Sequence, residues 1–154
     1  MASFKGSLTN EEASATVAAA LRGLGLFHRS LPIGDGGAGT VTALHSIFAG
    51  VFCAFPATSP QGSPVTARIL CLPNDKAPHT IYIESSQVCG YQLVPHEARD
   101  AMKASSRGLG EVLIAALGQW RSSLRHLFIG LGDSAISDAG TGMLEALGYH
   151  LMDK

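Results

Sequence analysis

Two short stretches, "GDGGAGT" (Gly34 to Thr40) and "DSAISDAGTG" (Asp133 to Gly142), set glycines, hydroxyls and carboxylates just before apolar, helix-like sequence. Glycine loses the most backbone entropy on ordering, so a cluster of it marks a tight turn or a close approach of backbone to a ligand. Asp35 and Asp138 would each repel a bare phosphate but could carry Mg²⁺ toward one. A helix start after each stretch would offer an anion unpaired N–H groups and a partial positive charge. The competing reading is local: Asp35 and Ser137 cap helices and the glycines only turn the chain, since neither stretch matches GxGxxG or GxxxxGK[ST]. A third stretch, "SSRGLGE" (Ser105 to Glu111), places Arg107 among hydroxyls and glycines. There it either grips a carboxylate or phosphate bidentately or is an ordinary surface arginine. Lys5 stands alone near the start and reads as solvent-facing, and the six histidines show no metal-ligand spacing.

The elements that must position these residues follow from spacing. Thr9 and Glu12 form a capping-box pair, Ala13, Val17, Ala20, Leu21 and Leu24 repeat at helical intervals, and Gly25 stops the helix. Ser30 to Ile33 predicts a short strand entering the first glycine turn, and Val41, Leu44, Ile47, Phe48 and Val51 a second helix after it. Val65 to Leu72 and Thr80 to Glu84 predict strands of an antiparallel hairpin about the turn signal "PNDKAP". Leu109, Val112, Leu113, Ala116, Leu117 and Trp120 make an apolar helical stripe. "HLFIGLG" predicts a short buried strand, and the last turn leads into a helix ending near Gly148. The methionines and Trp120 read as core. Strands alternating with helices at both ends imply an α/β fold of Rossmann-like strand–glycine turn–helix units, with a β-rich hairpin subregion over about 53–98. Ligands in such open sheets settle at the carboxyl ends of the strands.

Totals narrow the class. At 46% hydrophobic and 15% charged residues the chain is not disordered. A net charge of −1 argues against nucleic acid, whose binders need a basic face. No apolar run approaches the roughly 20 residues that cross a bilayer, and the first residues lack the basic, then apolar, then small-residue order expected of a signal peptide. Cys53, Cys71 and Cys89 are odd in number and widely spaced, which predicts reduced thiols and a cytoplasmic protein.

Together, "SFKGSLTNEEA", "GDGGAGT", "ESSQVCGYQLVPHEARD", "SSRGLGEVLIAAL" and "IGLGDSAISDAGTGMLEALG" resemble, in order, the conserved segments of the bacterial-type glycerate kinases. Their counterparts there are Ser-Phe-Lys-Gly-Ser-Leu, Asp-Gly-Gly-Glu-Gly-Thr, Glu-x-Ala-x-Ala-x-Gly-Leu-x-Leu-Val-Pro, Thr-Ser-Arg-Gly-Thr-Gly-Glu and Ile-Gly-Gly-Ser-Ala-Thr-Asn-Asp-Gly-Gly. The resemblance implies phosphorylation of D-glycerate by ATP and Mg²⁺, with 2-phosphoglycerate as product. It also implies a cleft lined by Asp35, Gly36, Gly37, Gly39 and Thr40 with Lys5, Ser106, Arg107, Gly108, Gly110, Glu111, Ser134, Asp138 and Gly140. Lys5 and Arg107 would neutralise the substrate carboxylate or the phosphates. Asp35 or Asp138 would hold Mg²⁺ or orient the attacking hydroxyl.

The chain also departs from that pattern. Met1-Ala2 stand where the family has a strand ending in Pro-Asp, and the family continues well past Lys154. Ala38 replaces the glutamate of the first turn, while Asp133, Ile136, Ser137 and Ala139 replace a glycine, a threonine, an asparagine and a glycine in the last. A carboxylate at Asp133 opposes an anion by about 1 kcal/mol at 4 Å in water unless it binds a cation. The expectation is the N-terminal portion of a glycerate kinase, an incomplete α/β unit without its first strand and C-terminal half, inactive alone. Its partner would be a complementing C-terminal portion or a second copy at an open sheet edge. The alternative is a non-catalytic α/β remnant that binds a partner.

Overall fold

A computed structural model describes residues 7–72 and 77–152. Lys5 lies outside the described residues. Helix α1 (Asn10–Gly23) begins with the capping box, Thr9 and Glu12 each bonding the other's backbone N–H. It stops at Gly23, two residues before Gly25, which takes φ +69° while the Leu26 and Gly25 amides donate to the Leu21 and Arg22 carbonyls. Only Asn10 and Ala13 of this helix are buried, and Val17 and Leu24 of its apolar stripe face solvent. Residues 24–39 form no strand. Among the described residues Ser30 to Ile33 has no neighbouring strand to pair with, and Pro32 removes one of its few backbone donors.

Helix α2 (Thr40–Ile47) is shorter than its apolar spacing suggested, because Val51 starts a strand instead. That strand, β1 (Val51–Thr58), pairs antiparallel with β2 (Pro64–Leu72) through eight residue pairs, and β2 pairs antiparallel with β3 (Thr80–Glu84) as expected. Beyond β3 come a short helix α3 (Ser86–Cys89), two 3₁₀ turns and the long helix α4 (Arg107–Trp120). β4 (His126–Gly130) then lies parallel to β3, and α5 (Thr141–Ala146) follows. The sheet order is β1-β2-β3-β4, a mixed α/β arrangement.

One face of the sheet carries Phe55, Ile69, Ile81 and Ile83 against Val112, Ala116 and Trp120 of α4. Trp120 meets Phe55 edge-on, with ring centroids 5.5 Å apart. On the other face Tyr82 stacks on Phe128 at 4.8 Å, and the Arg68 guanidinium lies 4.2 Å from the Phe52 ring centre. β4 is not the buried strand its apolar run predicted. It is an edge, with Phe128 50% exposed and Leu131, just past its end, 71% exposed, because no further strand pairs with it among the described residues. Met102 and Met152 are also exposed rather than core, whereas Trp120 is buried. No described helix is long and apolar enough to cross a membrane.

Candidate functional site

The first glycine turn rests on the end of β4. The Gly132 amide donates to the Gly36 carbonyl at 2.9 Å. A Cβ on Gly130 would stand 2.5 Å from that carbonyl oxygen, and one on Gly132 2.6 Å from the Gly37 Cα, so glycine faces glycine because the backbones nearly touch. Gly36 and Gly39 take φ of +88° and +91°.

The amides from Gly36 to Val41 are taken up internally, that of Thr40 by the Gly37 carbonyl. Gly36 N–H donates to Thr40 Oγ1, Gly37 to Asp35 Oδ1, Ala38 to Asp133 Oδ2, Gly39 to Glu84 Oε1 and Val41 to Glu84 Oε2. The start of α2 therefore holds a carboxylate of the protein itself, and an anion could settle there only by displacing it. Neither Asp35 nor Ser137 caps a helix through its side chain; Gly39 and Gly140 are the N-cap residues. Glu84 is 3% exposed at the carboxyl end of β3. Burial raises its pKa, opposed by the hydrogen bonds from Val41, Gly39 and the Ser86 hydroxyl.

Asp138 has the same duty in the last turn. Its carboxylate accepts the Ser106 amide at 2.7 Å, the Ser106 hydroxyl at 2.8 Å and the amides of Gly140 and Gly142 at 3.0 and 3.1 Å. Ser106 Oγ in turn accepts the Met143 amide. One carboxylate thus ties the start of α4 to the start of α5. Burial alone would raise its pKa, but these hydrogen bonds outweigh it and hold the carboxyl below its ordinary value.

Gly108, Gly110 and Gly142 are spacers for this packing. A Cβ on Gly108 would stand 1.9 Å from the Thr58 carbonyl oxygen, on Gly110 2.6 Å from that of Met143, and on Gly142 2.0 Å from Ser105 Oγ. Glu111 accepts the Thr58 amide and hydroxyl with one oxygen and Arg107 Nε, at 3.1 Å, with the other. The Arg107 side chain is 58% exposed and, among the described residues, held along one edge only. Ser134 is exposed beside the bridge that its backbone makes with Gly90.

The structure links the first turn to β4 and to Asp133, and the last turn to Arg107's helix. Asp35, Arg107 and Asp138 line neither the hollow of about 200 Å³ beside Glu84 and Arg68 nor the groove of about 570 Å³ between α1 and Arg29–Pro32. Three donors sit on Asp138 Oδ2 and a fourth on its Oδ1, so it has less room for Mg²⁺ than Asp35. Asp35 is exposed, makes one local hydrogen bond and keeps lone pairs for a metal that needs one or two carboxylates beside phosphates and water. Among the described residues no three histidine, cysteine or acidic side chains gather as a metal cluster. Glu84 escaped the sequence reading because a single carboxylate ending an apolar strand has no spacing signature.

The fold and site define a mixed α/β protein whose polar loops gather at the carboxyl ends of two parallel strands. The profile of the glycerate kinase family matches residues 1–154, and the chain belongs to that family. It is 36% identical to the glycerate kinase of Bacillus subtilis and 35% identical to the glycerate 2-kinase of Escherichia coli, over 98% of this chain in each case. It covers only 38% and 39% of those two proteins. A crystal structure from Salmonella typhimurium LT2, assigned as a glycerate kinase 2, superimposes with a TM-score of 0.71 and 33% identity over 94% of this chain and 38% of the other.

Proposed function

We propose that this chain supplies part of a phosphoryl-transfer site in which a hydroxyl of D-glycerate attacks the γ-phosphorus of ATP. The oxygen–phosphorus bond forms as the bond to the ADP oxygen breaks, and the hydroxyl proton passes to a base. The name of the Escherichia coli relative supports the 2-hydroxyl as acceptor.

The observation that carries this reading is Arg107. Glu111 fixes its Nε at the start of α4, while the outer edge of the guanidinium stays open for a carboxylate or phosphate. Asp35 is the carboxylate with lone pairs to offer, to Mg²⁺ or to the attacking hydroxyl. Mg²⁺, when bound, neutralises charge on the phosphates. Asp138, Ser106, Glu84, Gly36, Gly37, Gly39, Thr40, Gly108, Gly110 and Gly140 position the loops that carry these groups, and Ser134 borders them. Lys5 remains a second cation of the proposed site.

A second reading, a partner-binding domain without catalysis, is favoured by the open β4 edge and exposed Phe128 and Leu131. Both readings expect the purified chain to give no glycerate-dependent ADP release with Mg-ATP in a coupled assay. They part when a polypeptide matching the uncovered part of a relative is added. Turnover should then appear, and Arg107→Lys should lower kcat/KM at least about tenfold while Arg121→Lys leaves it unchanged. Turnover by the chain alone would show the rest to be dispensable. A stable complex without turnover would favour the partner-binding reading.

A further inference from the structure

Cys53 and Cys71 are reduced thiols, far apart in sequence, whose sulfurs lie 3.3 Å apart. The pairing explains it: Cys53 faces Ile69 and Val51 faces Cys71, so the two cysteines are diagonal neighbours on one face of β1 and β2. Cys71 is 1% exposed, and Cys53 is half-buried at the rim of the core. Val51 opens β1 and Leu72 closes β2, so the pair sits at the end of the ladder, where strands can draw together most easily. Cys89 is buried in α3 within the same core, and no hydrogen bond joins it to either sulfur among the described residues.

We propose that Cys53 and Cys71 form a dithiol that a peroxide oxidises to an intrachain disulfide, a redox-sensitive site independent of any kinase activity. Cys53, the more accessible, attacks hydrogen peroxide. The O–O bond breaks, a sulfenic acid forms on Cys53 and one water leaves. The Cys71 sulfur then attacks the Cys53 sulfur. The S–S bond forms, the S–O bond breaks, and the Cys71 proton leaves with the hydroxide as a second water. Two thiols are oxidised and one peroxide is reduced to two waters. Burial, and then the neighbouring Cys53, push the Cys71 thiol up, which fits Cys71 as the resolving partner and not the first nucleophile.

The sequence provides its own control. Cys53 and Cys89 each lie 18 residues from Cys71, so an unfolded chain has no loop-length reason to prefer either link. Trypsin, cutting after Arg29, Arg68, Lys76 and Arg99, puts the three cysteines on peptides 30–68, 69–76 and 77–99. The reduced chain is treated with a few equivalents of hydrogen peroxide, alkylated and digested without reductant. Peptides 30–68 and 69–76 should emerge joined, with Cys89 alkylated, and the 53–71 link should exceed the 71–89 link at least about tenfold. In concentrated urea that ratio should fall to near one. Cys53→Ser should abolish the link. A native ratio near one, sulfinic acid on Cys53 without a link, or links only between chains would overturn the proposal. The urea comparison needs no variant to fold.

Discussion

Asp133 Oδ2 accepts the Ala38 amide at 2.9 Å across 95 residues of sequence. These are two of the positions at which the chain departs from the family motif it resembles, one losing a carboxylate and the other gaining it. The carboxylate expected to repel an anion instead binds the first turn to the last. Asp133 takes φ +57° to do so, a left-handed conformation that aspartate tolerates better than most residues.

Asp133→Ala keeps the backbone strain and removes the acceptor. It should cost about 1–2 kcal/mol in urea unfolding and speed hydrogen exchange at the Ala38 amide. Asp133→Asn retains an acceptor oxygen and should stay within about 0.5 kcal/mol of the parent. An Asp133→Ala variant as stable as the parent would show that the link carries no energy.

Ala139 takes φ +52° with no polar side chain to compensate, where the family motif has glycine. Ala139→Gly should therefore stabilise the chain by about 1 kcal/mol, the left-handed cost less the added entropy of glycine. For a chain of this size that raises Tm by roughly 2–4 °C. A lower Tm would mean that the Ala139 backbone is unstrained.

Asp138→Asn turns one carboxylate oxygen into a donor facing donors, so the junction of α4 and α5 should lose about 2–4 kcal/mol. The folded pKa of Asp138 lies below its unfolded value. Its contribution is thus complete above the unfolded pKa near 3.8 and fades as pH falls through the folded one. The variant's deficit in unfolding free energy should be constant from pH 5 to 8 and shrink below about pH 4. A deficit that persists unchanged at pH 2 would remove the charge from the explanation.

Local signals were legible in the sequence wherever the structure satisfies them locally. The Thr9–Glu12 box, the Gly25 stop and the Leu109–Trp120 stripe each depend on residues within a turn or two. β1 was missed because Pro56 and the small residues around it read as punctuation, although on an edge strand a missing N–H costs the sheet little. Ser30 to Ile33 was overread because an apolar tetrapeptide becomes a strand only beside a neighbour. The Cys53–Cys71 contact depends on strand register. The ties from Glu84 to Gly39 and from Asp138 to Ser106 depend on tertiary packing across 45 and 32 residues. No spacing rule reaches that far.

Glu84 gives the strongest test of how the first turn is held. Glu84→Ala would strand the Gly39 and Val41 amides and the Ser86 hydroxyl at the buried end of β3, costing about 3–5 kcal/mol. Glu84→Gln keeps the shape and one acceptor, so its cost should be smaller and should depend on pH. Because the folded pKa is raised, the parent gains stability from Glu84 protonation below the folded value and loses that gain as pH rises from the unfolded pKa near 4.5 through the folded one. Glutamine does not titrate. The stability gap between parent and Glu84→Gln should therefore be widest near pH 4.5 and narrow toward pH 8, the reverse of the trend at Asp138. Urea unfolding of both proteins across that range checks it. A gap that widens with pH would mean that Glu84 is held as a stabilised carboxylate, with the α2 amides outweighing its burial.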